Sequence, residues 1–116
     1  MTHMNFGECL SDELIALVAY VTAPLGETST ALVRQSIAAT VVRHSSTMID
    51  LTVPDVEPVD LDDGPVPVRA LVHEGDMLSG EILVWARDGR LVGLEQAWYT
   101  DEAPQSWPSP TQVTVA

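Results

Sequence analysis

The chain has 116 residues, 46% of them hydrophobic, and a formal net charge of −12 from 17 acids against 5 bases. That length and apolar content suit one domain with one core and argue against a disordered chain. The charge excludes the positive surface that nucleic acid and anionic membranes require; it leaves a basic protein partner, a cation, or solubility alone as its use.

All the bases are arginine (Arg34, Arg43, Arg69, Arg87, Arg90), and lysine is absent. This absence, with Asn5 as the one asparagine, points to a GC-rich genome. Cys9 is the one cysteine, so neither an intrachain disulfide nor a thiolate metal site can form from one chain. "MTHMNFGECLSDE" lacks the basic start and apolar run of a signal peptide, and "LIALVAYVTAPL" is too short for a membrane span. The expectation is a soluble, cytoplasmic protein forming a single domain over 1–116.

"SDELIALVAYVTAP" predicts a first helix. Ser11 can cap it, Asp12 and Glu13 suit its positive end, and Leu10, Leu14, Leu17, Val18 and Val21 form one apolar stripe before Pro24 and Gly26. The stretch 26–40 reads as helix or strand; a short helix over 28–36 is preferred, capped by Thr28, Ser29 or Thr30, with Leu32, Val33, Ser36 and Ile37 on one face. A strand over about 38–44 follows, then a turn over Arg43–Thr47. "TMIDLTV" alternates Ile49, Leu51 and Val53 against Met48, Asp50 and Thr52, the pattern of a half-buried strand. Residues 54–67 are rich in acids and proline and read as a mobile acidic loop, because proline removes ladder donors. "VPVRALVHEGD" predicts another strand ending in a Gly-Asp turn.

Asp88-Gly89 between alternating apolar arms predicts a two-residue hairpin turn that pairs Arg87 with Arg90, Trp85 with Val92 and Leu83 with Leu94. Both hairpin faces are then apolar, so both are expected to be covered, with Ala86, Gly93 and Ala97 admitting a helix. Residues 100–116 read as an extended, proline-punctuated tail. The predicted class is α+β: one or two N-terminal helices on one face of an antiparallel meander of about five strands.

No phosphate-binding or nucleophile-elbow pattern is present, and no catalytic residue or cofactor is assigned. "DLDDG" at Asp60–Gly64 fails the calcium-loop spacing, since the third ligand position falls on Gly64 and the twelfth on Leu71, so no metal site is predicted. His3 sits near the N-terminus. His73 beside Glu74 and Asp76 is a candidate His–carboxylate pair, set against an ordinary solvated strand end. Arg43 and His44, with Ser45 and Ser46, could grip an anion or form a polar turn. Glu95, placed opposite Ile82 in an apolar face, is a buried acid, a partner for an arginine such as Arg69, or a residue at the sheet margin. Trp85, Trp98 and Trp107, with Tyr99, either close over the core or form an aromatic platform.

The path "ALVRQSIAATVVRHSSTMIDLTV" followed by "ILVWARDGRLVGLEQAWYTDEAPQSWPSP" resembles a family of small actinobacterial proteins of unknown function. Its marks are an "LR-Q" helical segment, an "LxVRDGRLxxLE" hairpin and an acidic end such as "DxxPxxWPxP". The matching residues are Leu32, Arg34, Gln35, Ile49 to Leu51, Arg87 to Leu91, Leu94, Glu95, and Trp107 to Pro110. The resemblance covers about residues 30 to 110 and implies no activity. Many members hold a cysteine cluster where this chain has His44, Ser45 and Ser46; a metal site there would lack its ligands in this chain.

Together these readings predict a non-enzymatic module that binds a basic protein, as inhibitor or immunity-type proteins do, through Trp98, Tyr99, Trp107, Glu95, Arg43 and His44. Two alternatives stay open: a small enzyme or ligand-binding domain using His73 or Glu95 in a sheet–helix cleft, and a homodimer joined through a sheet edge or the Trp107 segment.

Overall fold

The computed structural model describes residues 8–116, so His3 lies outside the described residues. Two helices pack on one face of a seven-stranded antiparallel sheet, an α+β arrangement. The thinnest dimension is 21 Å, which is room for one sheet and one layer of helices.

Helix α1 (Asp12–Thr22) starts where its cap predicts: the Ser11 hydroxyl accepts the Leu14 amide at 3.3 Å. Its buried stripe is Leu14, Leu17, Val18 and Val21. Ser11→Ala is expected to cost about 1 kcal/mol of stability, read by thermal or urea unfolding, because it orphans a first-turn amide; an unchanged midpoint would show that water replaces the cap without loss. After a single 3-10 turn through Pro24, Gly26 at φ 63° begins helix α2 (Glu27–Ala38). This helix is longer than the 28–36 predicted, and its cap is Gly26, not Thr28, Ser29 or Thr30. Its inward face is Ser29, Leu32, Gln35 and Ser36, whereas Ile37 is 59% exposed. The helices are joined by a buried hydroxyl pair, Thr22 Oγ1 to Ser29 Oγ at 2.7 Å, with the Thr22 hydroxyl also within 2.7 Å of the Val18 carbonyl.

The strands are β1 (Thr40–His44), β2 (Met48–Thr52), β3 (Gly64–Pro65), β4 (Ala70–Glu74), β5 (Met77–Arg87), β6 (Arg90–Trp98) and β7 (Val113–Val115). Their order is β1-β2-β6-β5-β4-β7, with β3 beside the far half of β5. Two strands exceed the expected number, and the sheet is not a simple meander, because β2 pairs with β6. The chain must therefore cross from β2 past β6 and β5 to reach β4. The acidic segment 54–67 makes that crossing over the Asp88-Gly89 turn. It is tied down by Val59 N–H to Gly89 O at 2.8 Å, Asp88 N–H to Asp63 Oδ1 at 2.9 Å, and the β3 pairing of Pro65 with Trp85. The mobile loop expected there is instead a strap anchored at several points. The Gln35 side chain completes the knot, with its amide donating to Glu57 O at 3.1 Å and Gly89 O at 3.0 Å while its oxygen accepts Leu91 N–H at 2.8 Å.

Asp88 (φ 52°) and Gly89 (φ 72°) form the predicted two-residue turn, and Arg87 opposes Arg90. Beyond Ala86–Leu91 the register shifts: Trp85 pairs with Gly93, not Val92, and Leu83 with Glu95, not Leu94. Val92 is the extra residue of a β-bulge. A one-residue slip turns every later side chain over. Ile82, Val84, Ala86, Leu91, Leu94 and Gln96 thus face the helices and are buried. Leu83, Trp85, Glu95 and Ala97 lie on the other side, half-buried. The expected double cover of the hairpin is absent among the described residues, and only the helix side is closed. Gly93 serves strand proximity, not helix approach; a Cβ there would meet Ile49 O at 2.7 Å.

The 100–116 segment is not an extended tail: it bends at 100–102 and 105–106 and ends in a short 3-10 turn and strand. Trp107 packs back against the core, and its indole donates to Ser45 O at 2.7 Å. A reciprocal Ser109–Gln112 cap closes a short 3-10 turn, and β7 then pairs with β4 as an edge strand. The core lies between helices and sheet, built around Leu17, Val18, Val21, Leu32, Ile49, Ile82, Leu91 and Leu94.

Candidate functional site

The end of the sheet where β4 turns into β5 and β6 runs out gathers the most unusual surface. Gly75 (φ 59°) and Asp76 make the predicted turn, and Met77 and Leu78 follow at its tip, 54% and 42% exposed. β6 ends alongside: Trp98 opposes Gly80, and Tyr99 N–H donates to Ser79 O at 2.9 Å. Trp98 is 44% exposed and Tyr99 52%. Sequence neighbours and partners of these residues are acidic: Glu74, Asp76, Glu81, Asp101 and Glu102. The Tyr99 hydroxyl donates to Glu81 Oε1 at 2.9 Å. That hydrogen bond is the main cause that holds the phenol above its ordinary pKa of 10.0; burial and the Glu81 charge add to it, and Arg69 opposes it.

Gly80 makes this end close-packed. A Cβ there would collide with the Ala97 carbonyl oxygen, so the β5–β6 spacing beside Trp98 depends on its having no side chain. Over the helix-side surface of the same end, the 100–108 segment arches and leaves a cleft of about 220 Å³, lined by Glu74, Ser79, Gln96, Trp98, Thr100 and Gln105 among others. The arch is held by the buried Gln96 amide, which donates to Ser46 O at 2.8 Å and Ser106 O at 3.1 Å.

The other residues marked by the sequence lie apart from this end. Glu95 opposes Leu83 on the helix-free side, not Ile82, and is not paired with Arg69; its Oε1 accepts the Trp85 indole N–H at 3.1 Å. It sits in an open dish with Met48, Asp50 and Arg87. Arg43 and His44 belong to β1, not to the turn. Arg43 reaches across to Asp50 at 3.3 Å, in an exposed pair of little energetic weight. The Ser45 hydroxyl is engaged in the turn, accepting Thr47 N–H at 3.2 Å and Met48 N–H at 3.0 Å. His73 lies half-buried on β4, and neither it, His44 nor Glu95 lines the sheet-end cleft. The three tryptophans do not make one platform: Trp85 faces the helix-free side, Trp98 the cleft, and Trp107 the Ser45 turn.

Sequence reasoning flagged Trp98 and Tyr99 but missed Met77, Leu78, Ser79 and Gln96. The first pair had a readable signal, since two adjacent apolar residues at a hairpin tip cannot both be buried. Among the described residues, no group of three or more His, Cys, Asp or Glu side chains could hold a metal ion, and no helix is long and apolar enough to cross a membrane. No family model, curated protein or solved structure matches the chain.

Proposed function

We propose that the chain is a non-enzymatic, cytoplasmic protein-binding module whose docking surface is the acid-ringed sheet end, and that its partner is a basic protein. An inhibitor or immunity-type role is the class this size and charge suit. One observation carries the reading: of the seven large hydrophobics that are strongly exposed among the described residues, four (Met77, Leu78, Trp98 and Tyr99) belong to this end of the sheet, Trp98 on its helix side and Tyr99 on the side of Glu81. Apolar side chains ringed by charge mark interfaces, and aromatic anchors contribute most of their energy. Charge complementarity selects the partner. A surface edged by Glu74, Asp76, Asp101 and Glu102 on a chain of net charge −12 attracts a basic segment and repels a second copy of itself. The resemblance to the small actinobacterial family adds no activity that would compete with this reading.

A peptide-display selection against the full chain tests it. Enriched sequences are expected to combine arginine or lysine with aliphatic or aromatic anchors and to bind more weakly as salt rises. The Met77→Ser/Leu78→Ser variant, altered only at the exposed tip and unchanged in charge, is expected to bind them about ten-fold less tightly. Sequences without basic residues, or binding indifferent to the variant, would overturn the reading. So would a dimer in sedimentation velocity that the variant dissolves, which would make this end a self-association surface.

A further inference from the structure

The sheet-end cleft carries a more specific ligand preference than its surroundings, and it shows in the hydrogen-bond bookkeeping of its walls. Ser79 donates its hydroxyl proton to Val72 O at 3.3 Å. Thr100 donates its own to Glu102 O at 2.9 Å. Gln96 uses both amide protons, on Ser46 O and Ser106 O. Each of these groups has given its donors away, so each can offer a ligand only a lone pair. Glu74 adds a carboxylate to the lining, and among the described residues no arginine or histidine lines the cleft. The donors left among the lining side chains are the Trp98 indole, the Ser106 hydroxyl and the amides of Gln105 and Gln112, all on exposed residues.

Such a wall repels phosphates and carboxylates and welcomes a cation with several N–H groups. The cleft volume of about 220 Å³ is below the range of about 300–1,000 Å³ that holds whole small-molecule ligands. It suits one long side chain. Trp98, exposed along the same lining, offers an aromatic face to a cation. Between the two basic side chains, the planar guanidinium stacks on an indole and presents five donors in a fixed fork, whereas an ammonium is a compact, strongly hydrated point charge.

We propose that the cleft between the sheet end and the 100–108 arch receives an arginine side chain of the partner protein. This rests on the reading of the sheet end as a docking surface and adds the residue it recognises. Within the cleft, the exposed Trp98 and the Glu74 carboxylate supply the selection for arginine.

Acetyl-Gly-Arg-Gly-amide, titrated into the full chain and followed by the tryptophan indole N–H resonances, tests the proposal. The Trp98 signal is expected to move, with millimolar affinity, while those of Trp85 and Trp107 stay. The lysine peptide is expected to bind several-fold more weakly, and the citrulline peptide, neutral but of the same shape, at least about ten-fold more weakly. Glu74→Gln and Trp98→Leu, both at exposed positions, are each expected to weaken binding about three- to ten-fold. Equal affinity for arginine and citrulline, no response at Trp98, or full binding by Glu74→Gln would overturn the assignment. The two proposals fail separately. If selected peptides depend on Met77 and Leu78 but the arginine peptide does not bind, the cleft assignment falls and the docking surface stands. If the arginine peptide binds but no selected peptide needs the tip, the docking surface falls and the cleft is a site for free guanidinium groups.

Discussion

Gln35→Ala is expected to lower stability by about 3 kcal/mol, seen as a fall of about 1.5 M in the urea midpoint at a typical slope of about 2 kcal/mol per M. Gln35 is 2% exposed and serves three backbone groups, the carbonyls of Glu57 and Gly89 and the amide of Leu91. Those groups belong to three elements: the acidic strap, the Asp88-Gly89 turn and the start of β6. Alanine leaves the Leu91 amide without a partner in a place water does not reach, and an orphaned buried donor costs more than its hydrogen bond contributes net. The slope should hold while the midpoint falls, since the same surface is exposed on unfolding. A midpoint within about 0.3 M of the parent would mean that the strap and turn hold each other without the glutamine.

Gly80→Ala is expected to cost a similar amount, about 3 kcal/mol, for a steric reason. The added methyl would run into the Ala97 carbonyl oxygen and come within 3.3 Å of Trp98 Cα. Both obstacles are backbone, so no side-chain rotation relieves them and the strands must part. Gly75→Ala is the internal comparison. It sits at φ 59° with nothing within 4 Å of its new methyl, so it carries only the backbone strain of about 1–2 kcal/mol. If both variants lose the same amount in thermal unfolding, the crowding at Gly80 is not the cause. The strand separation should also shift the Trp98 indole resonance, because Gly80 pairs with Trp98.

Features set by a few adjacent residues were legible in the sequence. The Ser11 cap, the Gly26 break, the Gly75-Asp76 turn and the Asp88-Gly89 turn each follow from local backbone chemistry, and each stands where expected. The bulge at Val92 was not legible, because alternation through "RLVGLEQAW" gives no mark of where it is interrupted. The tertiary structure decides the phase. Leu94 needs the core, Glu95 needs water, and Gly93 must lie against Ile49. The α2 face was misread for a related cause. A glutamine reads as surface, and the partners that bring Gln35 inside are 22, 54 and 56 residues away. Strand β7 has only three residues, too few for a pattern. At the end of β6, Trp98 and Tyr99 announced themselves as aromatics at a strand end, while the acceptor character of the cleft depends on where three side chains send their protons.

The margins of the sheet have a further consequence. One margin is β1, broken by an irregularity between Val41 and Arg43, carrying exposed Arg43 and His44, and partly occupied by Glu8 and Cys9 through Val41 N–H to Glu8 O at 2.8 Å and the Cys9–Thr40 bridge. The other margin is the short β7, entered from a proline turn. Among the described residues, neither offers the long, flat row of free amides and carbonyls on which strands of another molecule could add. A chain this rich in β-structure is thereby poorly suited to templated fibril growth, since its margins are blunted at both sides of the sheet.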